Sequence, residues 1–166
     1  MSLEPKYRLL TLEELGELRP EFVRFLASQS ITADDWQKMK LESLDKSARI
    51  LTQFSDLVLD RILINVSLLE VRRKNEIQLY RFEQDRVRLN GLRLDNSPTI
   101  DLANDSDDAD LLEVFRNSAG RAQLISAEKI YRENKQREVF DLINQGCLIS
   151  KNEHLFDLLE NLKKDT

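Results

Sequence analysis

The sequence predicts a single α+β domain over residues 1–166, mostly helical, with a small antiparallel sheet made of a hairpin at about 77–94 and a third strand at about 121–126. Three observations carry this. Several stretches place apolar residues at helical spacing behind capping residues. The pattern then switches to alternation near residue 77. Hydrophobic residues make up 41% and charged residues 33%, with only four glycines and three prolines, a balance that supports one helix-rich core.

Thr11-Leu12-Glu13-Glu14 puts a hydroxyl at an N-cap and a glutamate three residues on, the capping box that satisfies the first free backbone N–H groups of a helix. Leu10 and Leu15 fall where a hydrophobic staple would close. Leu15, Leu18, Phe22, Phe25 and Leu26 keep helical spacing to about residue 28, and Pro20 should kink or split the helix. The syntax returns at Ile31-Thr32-Ala33-Asp34-Asp35-Trp36, with Thr32 as cap and Asp35 at N3. It returns again near the end, with Ser150 as cap and Glu153 at N3.

From about Ser47 to Arg73, apolar residues at 51, 54, 58, 62, 66 and 69 predict the longest helix. Ile77, Leu79, Val87 and Leu89 then alternate with polar neighbours around a Glu83-Gln84-Asp85 turn, which predicts the hairpin. Asn90-Gly91 is a competing turn signal, or else a bulge or strand end. Residues 95–110 form an acid-rich connection to a helix at about 107–118. After the third strand come helices at about 132–145 and 151–163, with Gly146 at the C′ position of the first.

Adjacent helix residues point about 100° apart, so Asp34 and Asp35 cannot easily share one ligand, and capping explains both. The run from Asp105 to Glu113 fails as a calcium loop, because positions 5, 6 and 12 hold Ala109, Asp110 and Arg116. Asp105 or Ser106 reads better as an N-cap. Asp56 and Asp60 lie one turn apart and could serve a metal-dependent enzyme, but dimetal sites also use Glu-x-x-His motifs. The one histidine, His154, lies in a terminal helix. Cys147 has no histidine close in sequence, which leaves a nucleophile role without support. No dinucleotide, P-loop, hydrolase or zinc motif is present. Neither a catalytic residue, a metal ligand nor a cofactor is therefore assigned.

The net charge of −5 disfavours nonspecific binding to nucleic acid or anionic membrane. Locally the balance differs: residues 61–94 carry eight bases against four acids, and residues 95–118 seven acids against Arg116. The basic stretch 72–93 could bind RNA or single-stranded DNA through Arg81, Arg86, Arg88 and Tyr80. Pairing with acids, or exposure to solvent, is the favoured reading. No apolar run is long enough to span a bilayer, and the first residues match neither a secretory signal nor a transit peptide. One cysteine permits no internal disulfide, so the cytoplasm is the expected compartment, and the sequons at Asn65 and Asn104 read as chance.

Together, KYRLLTLEEL, FLASQSITADDW, FSDLV and IYRENKQREVFDLINQGCLIS resemble a family of small uncharacterised proteins of Bacteroidetes bacteria. The resemblance spans nearly the whole chain in the same order and implies no activity, cofactor, partner or functional residue. The expected function is a cytoplasmic, non-enzymatic one, through a protein partner or a homo-oligomer, for example a dimer through the long helix.

Overall fold

A computed structural model of the chain describes residues 4–95, 101–103, 108–117 and 121–165. It divides into two compact units, residues 1–62 and 63–166. The described residues form seven helices and one five-stranded sheet.

The first unit contains α1 (Leu12–Glu17), α2 (Arg19–Ser28), α3 (Ala33–Glu42) and nearly all of α4 (Leu44–Ile64). The starts of α1 and α3 are those the sequence predicts, while α4 begins at Leu44, ahead of the expected start near Ser47. Thr11 Oγ1 accepts the Glu14 N–H at 3.1 Å and Glu14 Oε2 accepts the Thr11 N–H at 2.8 Å. Arg8 also grips Glu14 at 2.8 Å, and that hydrogen bond, reinforced by the Thr11 backbone, holds the Glu14 carboxyl down to about 2. Pro20 splits the helix as expected: α1 ends at Glu17 with Leu18 as its C-cap, and the proline falls in the first turn of α2, where its missing N–H is not needed. Thr32 and Asp35 form the second capping box, at 3.1 and 3.0 Å.

Behind that box Trp36 is buried, its ring 5.2 Å from Phe22 in an edge-on contact. Phe22 and Phe25 in turn pack on Phe54, the most buried aromatic of this unit. Thr32→Ala is expected to cost about 1 kcal/mol through loss of the cap. Denaturant unfolding would show it, and a chelator should leave the wild-type midpoint unmoved; a chelator-sensitive midpoint would instead mark Asp34 and Asp35 as metal-bound.

The second unit departs from the expected layout. The long helix stops at Ile64, and residues 68–73 form strand β1 (Leu68–Arg73) instead of its last turns. Leu68 and Leu69 are both fully buried although adjacent strand residues face opposite sides, so this strand is covered on both faces and shows no alternation. β2 (Glu76–Phe82) and β3 (Arg86–Leu94) form the predicted hairpin around residues 83–85, and β4 (Ala122–Ile130) extends the predicted third strand. With β5 (Leu148–Ile149) they make an antiparallel sheet in the order β4-β3-β2-β1-β5, larger than the small sheet expected.

Asn90-Gly91 is neither a turn nor a strand end but lies inside β3, with Gly91 opposite Gln78. Helices α5 (Asp108–Asn117), α6 (Lys135–Asn144) and α7 (Glu153–Lys164) complete the unit. Gly146, at φ +105°, follows α6 as expected. The cap of α7 is Asn152, whose Oδ1 accepts the Leu155 N–H at 3.1 Å, not Ser150. Ser150 is buried, donating its N–H to the Leu68 carbonyl at the sheet. The expected caps Asp105 and Ser106, and most of the acidic connection, lie outside the described residues.

One sheet face carries Leu68, Ile77, Leu79, Leu92 and Leu94 and packs against Leu111 of α5 and Leu155, Phe156 and Leu159 of α7. The other face carries Tyr80, Gln78, Leu89 and Gly91, with α6 packed against β1. The candidate sites of this unit are set by these two faces.

Candidate functional site

Arg81 and Arg88 are directly opposite each other on β2 and β3, a like-charge pair that would repel if left alone. Helix α7 answers it with acids. Arg81 Nη2 donates to Glu153 at 2.7 Å and to Asp157 at 2.9 Å, while its guanidinium lies 3.9 Å above the Phe156 ring. Arg88 donates to Glu160 at 2.7 Å and, at 3.5 Å, to Glu83. Arg86, nearer the hairpin turn, holds Asp85 at 3.0 Å and Glu128 at 3.2 Å. Tyr80 is on the other sheet face, half-buried, its hydroxyl donating to Gln78 at 2.7 Å. The structure therefore brings Arg81 and Arg88 together, sets Arg86 beside the turn, and separates Tyr80 from all three.

Asn90 is adjacent to Arg88 and almost fully buried. Its amide donates to the Phe156 carbonyl at 3.3 Å and to Glu160 Oε2 at 2.7 Å. Among the described residues its Oδ1 accepts no hydrogen bond. Lys163 first, then Asn90 and Arg88, hold the Glu160 carboxyl down to about 2. Because the folded value lies below the usual one, this carboxylate stabilises the fold at neutral pH, and the effect fades as pH falls from about 4.5 toward 2. Glu160→Gln should cost about 2 kcal/mol near neutrality and nothing near the acid end. Thermal unfolding across pH reads this; a difference that stays flat with pH would overturn it.

The opposite face holds a groove of about 440 Å³ between the sheet and α6. Tyr80, Val87, Leu89 and Ala127 form its floor, Leu142 and Asp141 its helical wall, and Arg132 its rim. Lys129 spans it to Glu138 at 2.9 Å. In the first unit a groove of about 430 Å³ between α2 and α4 is lined by Phe25, Phe54, Leu57 and Ile62, the last two exposed.

Asp56 and Asp60, also singled out by sequence, have structural partners. Asp56 accepts the Lys6 N–H at 2.8 Å, and Asp60 accepts the Tyr7 hydroxyl at 2.6 Å, so the two carboxylates tie down the segment before α1. Cys147 is buried, and burial pushes its thiol up, away from the reactive thiolate. Among the described residues no three His, Cys, Asp or Glu side chains are grouped to hold a metal ion, and no helix is long and apolar enough to cross a membrane.

Sequence reasoning missed the outer edge of β4. Asp95 N–H donates to the Arg121 carbonyl and Tyr131 N–H to the Asp85 carbonyl. Odd-numbered residues of β4 thus turn their backbone toward β3, and Leu124, Ser126, Glu128 and Ile130 turn N–H and C=O outward. Residues 126–130 are exposed. The signal for an edge is strand order, which local sequence does not carry.

Helices on both sides of a five-stranded antiparallel sheet in one unit, and helices alone in the other, define an α+β protein. The chain belongs to a family of unknown function (DUF6495), whose profile matches residues 1–164. No curated protein and no solved structure matches it.

Proposed function

We propose that this chain is a non-enzymatic bacterial protein of the cytoplasm that works by binding protein, accepting an extended segment along the edge of β4. The observation that carries this reading is the row of outward backbone groups at Leu124, Ser126, Glu128 and Ile130, the template that strand addition uses. The bacterial origin rests on the resemblance of the sequence segments quoted above. Arg81, Arg86 and Arg88 each hold at least one carboxylate, which favours protein over RNA or single-stranded DNA as the partner. Retention of an oligonucleotide that weakens with salt and is lost on Arg86→Ala would reverse that preference.

A photo-reactive residue at Ala127, in cells of the native host, tests strand addition. Cross-linked adducts are expected that vanish when Ser126→Pro removes one outward N–H. Adducts that persist, or none at all, would overturn the reading.

A further inference from the structure

We infer that the segment taken up by β4 is β4 of a second copy of this chain, paired antiparallel about a two-fold axis at Ala127; this rests on the strand-addition reading above. The strand is self-complementary in that register alone. A two-fold pairing must place residues of the same sheet face opposite each other, so its centre falls on a residue of β4.

Centred on Ala127, Leu124 faces Ile130 of the second copy and Ser126 faces Glu128, each with both backbone groups turned to the partner, while Ile125 faces the stem of Lys129. Ile130, 66% exposed in one copy, gains an apolar neighbour, and no like charges meet. A centre at Glu128 would set two carboxylates against each other. A centre at Ser126 would set Leu124 against a carboxylate.

Edges of natural sheets are usually guarded by charge. Here the two charges that could guard β4 are already engaged on its faces: Glu128 with Arg86 at 3.2 Å and Lys129 with Glu138 at 2.9 Å. The opposite edge ends in β5, two residues long, and offers no comparable template.

Light scattering on the purified chain is expected to give twice the chain mass. Ser126→Pro should give a single mass with unchanged circular dichroism, because proline is tolerated where the lost N–H points off the sheet. Ser126→Glu, which sets a carboxylate opposite Glu128, should do the same and serves if the proline variant fails to fold. Register is read with cysteines: Ala127→Cys should oxidise to a covalent dimer across a non-hydrogen-bonded pair, and Ser126→Cys should not.

A wild-type monomer at millimolar concentration overturns the inference, as does a dimer untouched by Ser126→Glu. If that monomer still yields cross-links from position 127 that Ser126→Pro abolishes, only self-pairing fails. If it yields none, strand addition fails with it.

Discussion

Phe156→Ala is expected to lower the stability of the second unit by about 4 kcal/mol. Phe156 is fully buried between the sheet and α7, among Leu68, Leu79, Leu155 and Leu159. Truncating it removes the apolar transfer energy of the ring and leaves a cavity that a strand-backed wall cannot collapse to fill. The ring is also the platform for the Arg81 guanidinium at 3.9 Å, with Arg88 at 5.9 Å, so the same change strips the apolar support from two cations. Phe156→Leu, which keeps most of the volume, should cost much less. Urea unfolding followed by circular dichroism measures both. Equal losses for the two variants would mean that the cavity does not matter here and that the ring contacts, lost in both, carry the effect.

Gly91→Ala should cost about 2 kcal/mol, although alanine ordinarily improves on glycine in a strand. A Cβ at this position would be 2.7 Å from the Ile77 carbonyl oxygen and 3.3 Å from Ile125 Cβ. The first of these is backbone, so β2 and β3 themselves would have to part. Gly16, in α1, meets nothing within 4 Å, and Gly16→Ala should raise stability by about 0.5–1 kcal/mol on helix propensity alone. The pair therefore predicts shifts of opposite sign in the denaturant midpoint. A gain at both positions would show that the close approach of β2 and β3 is not real.

The contrast between these glycines also shows what the sequence could and could not reveal. Features decided within a few residues were legible: both capping boxes, the break at Pro20, the turn at 83–85 and the stop at Gly146 each follow from local backbone chemistry. Asn90-Gly91 misled because its residues serve distant partners. Asn90 reaches α7, and Gly91 makes room for a neighbouring strand. β1 was read as helix because a strand buried on both faces has consecutive apolar residues that also satisfy a helical period.

Ser150 looked like a cap because a hydroxyl three residues before a glutamate is the usual signature; Asn152 took the position, and the serine bonds the sheet. At the candidate sites, the basic cluster was visible but its neutralisation by Glu153, Asp157 and Glu160 was not, since those acids lie more than sixty positions further along the chain.

That separation matters while the chain is being made. β1, β2 and β3 are complete by Leu94, yet the helix that covers Leu68, Leu79 and Leu92 and neutralises Arg81 and Arg88 begins only at Glu153. A ribosome adding residues at roughly 5–20 per second would hold the hairpin for several seconds before α7 covers its apolar face and brings Glu153, Asp157 and Glu160 to Arg81 and Arg88. Through that interval the nascent sheet depends on whatever else can cover it, and a message cut short before α7 would yield a product that stays in that condition.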